Sequence, residues 1–309
     1  MSALSDPTVD WLLEGDPVIR WQTMRDLQGV PEAEWQAERR KTLSKGWVHD
    51  FLALQGPDGH WKRARWTGDI YTLLTLIDCG MPADDPRLQP PIERFLDELL
   101  SAPDTGSKNS LFMRIDQCHL GFWLRIGAYF RPWDTRLPAL ARRVLELQFA
   151  DGGWNCRIRN YSKTTHSSFH TTFNILEGLR AAAQNGIVDA KTIQESEARA
   201  LEFMLQHRLY KSDRTGGIIS ERFLHLSFPS YWHYNVLRGL DYIAFTPQIK
   251  DPRLTDALEY LQERRLPNGR WPVEKRIPGA THFDMDPMGK PSRWNTLRAS
   301  RALLNAEAI

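Results

Sequence analysis

Apolar residues recur at three- and four-residue intervals over residues 67–78, 168–183 and 293–306, and this spacing predicts helices with one buried face. The same period, less regular, places further helices at 17–27, 116–129 and 231–244. A second set falls between them, around 31–54, 88–101, 136–148, 188–207 and 252–264. The chain thus reads as two helical sets in alternation.

Three of the junctions share a motif. Gln55-Gly-Pro-Asp-Gly-His-Trp61, Gln148-Phe-Ala-Asp-Gly-Gly-Trp154 and Arg265-Leu-Pro-Asn-Gly-Arg-Trp271 align without a gap. In each, Asp or Asn followed by Gly supplies a turn with positive φ, and each segment ends in Trp. The turn closes one helix and leads into the next. Weaker copies pass through Thr215-Gly-Gly217 and Asp104-Thr-Gly106, and an N-terminal copy is reduced to the helix at 17–27.

Six such hairpins of about 50 residues account for residues 1–309 as one domain. A helical hairpin cannot bury both of its faces alone, so consecutive hairpins must stack. Helices of the first set carry polar and aromatic residues at their starts: Trp66, Asp69, Asp116, His166, His170, Trp232, His233, Trp294 and Asn295. This favours a closed ring around a lined cavity over an open array. The expected fold is all-α, an (α/α)6 toroid.

The segments ending in Trp61, Trp154 and Trp271 resemble the Gln-Trp repeats of squalene and oxidosqualene cyclases, in which Gln and Trp brace neighbouring hairpins of such a barrel; Arg265 stands where the third copy would have Gln. His166-Ser-Ser-Phe-His170, Ser227-Phe-Pro-Ser-Tyr-Trp-His233 and Lys290-Pro-Ser-Arg-Trp-Asn-Thr296 resemble segments of bacterial single-barrel proteins labelled prenyltransferase or squalene cyclase-like. The resemblance implies a terpenoid-cyclase-like or prenyltransferase-like enzyme with an apolar, isoprenoid-type substrate in its central cavity. It also implies that zinc can belong inside the barrel, held by thiolate and imidazole. The Asp-x-Asp-Asp acid of the triterpene cyclases is absent, and Asp284-Met-Asp286-Pro287 and Asp84-Asp85 are the nearest approaches.

Composition narrows this further. Twelve tryptophans are about three times ordinary usage for this length, which fits a repeat built on Trp. A formal net charge of +2 points to neither nucleic acid nor an anionic membrane as partner. No stretch of about 18 uncharged apolar residues is present to span a bilayer. Met1 to Asp10 lack the charged start and apolar run of a secretory signal, and three cysteines fit a reducing compartment, so the expected location is the cytoplasm.

Four groups carry candidate chemistry. Cys118, Cys156 and His170 are the candidate zinc ligands; the alternative is two small buried thiols and a helix-start imidazole. Asp116, Asp284 and Asp286, with His233, are candidates for proton transfer, since a carboxylic acid in an apolar cavity has its pKa raised. Asp116 reads equally as a helix cap, and Asp286 before Pro287 as a turn residue. Trp66, Phe112, Trp123, Phe169, Tyr231, Trp232 and Trp294 either line the cavity or pack the hairpins, and Asp69, His166 and Asn295 complete the candidate substrate-binding set. Arg114, Arg157, Arg159, Lys163, Arg222, Arg276 and Arg293 fall in loops at one end, where a diphosphate or carboxylate would want cations. Two readings stand beside the enzyme on an apolar substrate: a non-catalytic binding or scaffold protein, and a hydrolase or lyase on a polar substrate with paired carboxylates.

Overall fold

The computed structural model describes residues 6–62, 64–100, 115–159 and 163–307. The chain is mostly helical and forms a single body. Phe112, Arg114 and the turn at Asp104-Thr-Gly106 lie outside the described residues.

Helices α1 (Asp6–Leu13) and α2 (Pro17–Thr23) open the chain, and α2 runs on through a π turn at Met24–Gln28. The expected helix at 31–54 is two helices, α3 (Glu32–Arg40) and α4 (Trp47–Ala53). Gly46, at φ 80°, separates them, and a Cβ there would lie 2.2 Å from the Asp16 carboxylate. Asp16 itself caps both neighbours, accepting the amides of Val18 and Trp47 at 2.8 Å each. The sequence then gives α5 (Asp69–Asp78), α6 (Gln89–Leu100), α7 (Gln117–Phe130), α8 (Leu137–Glu146), α9 (Phe169–Gln184), α10 (Ala190–Gln206), α11 (Val236–Ile243), α12 (Thr255–Glu263) and α13 (Arg293–Glu307). Only α11 starts well after its expected first residue. Before it, Tyr231 adopts φ 50° and Phe228–Pro229 is cis, and residues 231–235, expected as the first turn of the helix at 231–244, belong to an irregular segment.

Each of the three motif turns is built from the same bonds. The indole N–H of Trp61, Trp154 and Trp271 donates to the carbonyl ten residues back, on Phe51, Val144 and Leu261, at 2.7 to 2.8 Å. Their backbone amides donate to Asp69 Oδ1, Thr172 Oγ1 and Thr296 Oγ1 in the following helix. Gln55 and Gln148 donate to the carbonyls of Gly59 and Gly152, and Arg265 does the same to Gly269 at 3.1 Å. Gln55 and Gln148 reach further, to carbonyls of Arg87 and Ser196 in the next repeat. All three tryptophans are buried, so every one of these donors must find its acceptor inside the protein.

Helix α5 packs on α7, α7 on α9, α11 on α13, and α13 on α2. Between α7 and α9 the backbones touch. A Cβ on Gly121 would stand 2.5 Å from the Asn174 carbonyl oxygen, and one on Gly178 would stand 2.4 Å from that of Gly121. Phe173 and Tyr242 join α9 to α11, with ring centroids 5.3 Å apart. Trp21 and Gln22 of α2 donate to the carbonyls of Cys79 and Asp78 at the end of α5. Helices α3, α6, α8, α10 and α12 pack against α2, α7, α7, α9 and α11 respectively.

Candidate functional site

Helices α5, α7, α9, α11 and α13 each carry charged residues, and these meet. Arg125 donates to Asp78 at 2.6 Å and Glu177 at 2.7 Å. Arg238 holds Glu177 and also donates to Asn174 and to the carbonyls of Tyr231 and His233. Arg301 joins Asp241 at 2.6 Å to Asp26 at 2.7 Å. Arg298 lies further off, 3.4 Å from Asp241 and 3.9 Å from Asp78, and its Nε has no hydrogen-bond partner. Burial pushes the Asp78 carboxyl up, but the guanidinium groups of Arg125, Arg298 and Arg238 outweigh it and hold the pKa low. Above this network, Phe228, Pro229, Ser230 and Tyr231 cover it, leaving an enclosed space of about 20 Å³.

A larger space lies to one side of that segment. It is a cleft of about 410 Å³ between the turn at Arg65 and Trp66, the first turn of α9, residues 222–235 and residues 275–278. Trp66, Trp232, His170 and His233 give it an aromatic wall, with Trp232 and His233 stacked at 3.9 Å and His170 edge-on to Trp232 at 5.0 Å. Tyr231 backs this wall, stacked on Trp66 at 4.6 Å. The charged residues lining the cleft are Arg65, Arg222, Lys275 and Arg276; among the described residues no carboxylate lines it.

Burial lowers the pKa of both imidazoles to about 4, with Arg238 and Arg222 adding to the effect. His170 is further depressed by His233. Both rings are therefore neutral at pH 7. The Tyr234 amide donates to His170 Nδ1 at 2.8 Å, which fixes the tautomer and leaves Nε2–H as the ring's donor. His233 Nδ1 is buried with no hydrogen-bond partner.

Of the residues proposed from sequence, Trp66, His170, Trp232 and His233 share this cleft, with Arg222 and Arg276 on its rim. The others are placed elsewhere. Asp69 accepts the Trp61 amide and meets His60 at 2.7 Å, the position that Thr172 and Thr296 fill in the other repeats. Asp286 is buried and accepts from the Ser292 hydroxyl and the Trp294 amide, the turn-residue alternative. Burial raises its pKa. Asp284 is exposed and pairs with Arg276 at 2.6 Å. Asp116 is the N-cap residue of α7. Asn295 donates to the carbonyls of Leu226 and Pro272, Trp294 stacks on Phe228, and His166 stands at the surface beside Asp151.

Cys118 and Cys156 adjoin: the Cys118 amide donates to Cys156 Sγ at 3.2 Å. Among the described residues no three His, Cys, Asp or Glu side chains converge as a metal site, and two thiols alone fall short of the three or four ligands zinc takes. No helix among the described residues is long and apolar enough to cross a membrane. No protein-family model matches this chain, and no curated protein matches it.

Sequence reasoning missed Arg65, His225 and Lys275 in the cleft, and the whole buried network. A signal for the network was present: Glu177, Arg238, Asp241 and Arg298 interrupt otherwise apolar helix faces with charges of both signs.

Proposed function

We propose that the chain is an (α/α)6 toroid that acts on a small anionic ligand with a flat or unsaturated body, bound in the cleft beside His170 and His233. The ring is supported by the order of packing, in which α2, α5, α7, α9, α11 and α13 each touch the next and α13 returns to α2, with the remaining helices outside them. The ligand class rests on one observation: the charged lining of the cleft is wholly basic, and its uncharged wall is aromatic. A phosphate or carboxylate finds up to four cations there, and a flat body finds the faces of Trp66 and Trp232.

An anion in this cleft also changes what the histidines can do. A negative charge beside them favours the imidazolium form, so groups too weakly basic in the empty cleft gain the capacity to accept a proton once the ligand is bound. The terpenoid-cyclase-like or prenyltransferase-like activity implied by the resemblance falls within this reading for an isoprenoid diphosphate. Four cations can take up the charge that grows on the diphosphate as its carbon–oxygen bond breaks. Protonation of an alkene does not, because neither Asp116 nor Asp284 lines the cleft. A purely binding role is the second reading, supported by the charge network and the 228–231 segment that occupy the middle of the helix assembly.

Tryptophan fluorescence tests the proposal directly, because Trp66 and Trp232 line the cleft. Titration with inorganic pyrophosphate and with geranyl diphosphate should quench saturably, and Arg222→Ala together with Arg276→Ala should weaken both by tenfold or more. Absence of saturable quenching by either probe overturns the assignment. Pyrophosphate released from geranyl diphosphate marks a catalyst, and binding without release marks a binding protein.

A further inference from the structure

Cys118 and Cys156 stand apart from the cleft, and neither reading of it uses them. Cys118 is the second residue of α7, and Cys156 follows the Trp154 turn, so the pair links two elements 38 residues apart in sequence. Both are partly exposed, whereas Cys79 is fully buried.

Cys156 Sγ collects two donors: the Cys118 amide at 3.2 Å and the Thr171 hydroxyl at 3.3 Å. A sulfur held by N–H and O–H donors at a helix N-terminus is the one best able to carry negative charge, and the thiolate is the nucleophile. The second thiol, on the residue whose amide bonds the first, is the resolving group. A disulfide needs its sulfurs at about 2.05 Å and its Cα atoms within about 7 Å. The Cys118 amide nitrogen stands 3.2 Å from Cys156 Sγ, so the two residues are already neighbours.

We propose that Cys118 and Cys156 form a redox-active dithiol that closes to a disulfide in the presence of a hydroperoxide. The Cys156 thiolate attacks one oxygen of hydrogen peroxide and the O–O bond breaks; Cys156 becomes a sulfenic acid, and the other oxygen leaves as hydroxide, which takes up the proton lost from the thiol and becomes water. Cys118 then attacks the Cys156 sulfur, the S–S bond forms, and the sulfenic oxygen leaves as a second water with the Cys118 proton. Two electrons pass from the thiols to the peroxide. The disulfide ties the start of α7, whose Phe122 meets Tyr71 at 5.9 Å between ring centroids, to the segment after Trp154.

The test treats the full chain, still folded, with hydrogen peroxide at equimolar and tenfold excess, then maps peptides by mass spectrometry. The expected product is one intramolecular disulfide between Cys118 and Cys156, 2 Da lighter than the reduced chain and reversed by dithiothreitol, with Cys79 still free. Cys118→Ser should accumulate a dimedone-trapped sulfenic acid on Cys156, and Cys156→Ser should leave Cys118 unlabelled. Free Cys118 and Cys156 after tenfold peroxide, or oxidation of Cys79 at the same rate, overturns the proposal, and both are read on the unsubstituted protein.

Discussion

Arg238 grips Glu177 with two nitrogens, Nε on Oε1 at 3.1 Å and Nη2 on Oε2 at 2.7 Å, across the boundary between α11 and α9. The same carboxylate takes Arg125 from α7, so one acid pairs with two arginines from two helices. Glu177→Ala leaves both cations buried without it, which should cost about 3 to 5 kcal/mol. Urea denaturation checks this. An unchanged midpoint would mean that water already screens the network.

The motif turns give a prediction that compares one repeat with another. Thr172 and Thr296 each accept the amide of a buried Trp through Oγ1, at 3.0 Å in both cases. Valine fills the same volume but cannot accept, so Thr172→Val and Thr296→Val should each destabilise by about 1 to 3 kcal/mol and by similar amounts. Asp69→Val, which also strips His60 of its partner, should cost at least as much. Thermal denaturation of the three variants decides whether the repeats are energetically equivalent.

These turns were also the most legible part of the sequence, because a local motif with a fixed spacing encodes a local set of bonds. Arg265 shows the tolerance of the pattern: its Nε serves the carbonyl that Gln serves in the other copies. The helices were legible through their period, except where backbone at positive φ intervened, as at Tyr231. Asp69 looked like a cavity residue, but it accepts the Trp61 amide as Thr172 and Thr296 accept theirs, and the unequal spacing of 8, 18 and 25 residues hid that equivalence in the sequence. The charge network left only a partial signal: Glu177 and Arg238 interrupt apolar helix faces, but they lie 61 residues apart and nothing in the sequence pairs them until the helices pack. The cleft was half legible. Trp66, His170, Trp232 and His233 were found as helix-start residues, but Arg65 and Lys275 come from loops with no pattern to flag them.

Acid should destabilise the fold through the cleft histidines. The folded pKa of His170 and of His233 is held at about 4, below the ordinary value of 6.5 that the unfolded chain retains. Above about pH 6.5 the rings are neutral in both states and stability does not depend on them. Between 6.5 and 4 the unfolded chain binds protons that the folded chain refuses, so stability falls as pH falls, by up to about 1.4 kcal/mol per pH unit for each ring. Below about 4 the loss levels off. Carboxylates titrate at the lower end of this window, so the measurement is the difference between the wild type and His170→Asn or His233→Gln. That difference should grow from pH 6.5 to 4; a constant difference would place the rings in water.

Asp284 separates the anion-binding reading from an acid-catalysed one. It is more than half exposed and its bond to Arg276 spans two mobile side chains in solvent, a kind of pair that contributes about 0 to 1 kcal/mol. Asp284→Asn should therefore leave the denaturation midpoint within error of the wild type. It removes a carboxylate that competes for Arg276, so pyrophosphate should bind several-fold more tightly, and the gain should fade as salt screens the cleft. If Asp284 instead supplied a proton to a substrate, the variant would bind unchanged and lose turnover. Fluorescence titration at low and high salt, run beside an assay for pyrophosphate release, gives opposite answers for the two roles.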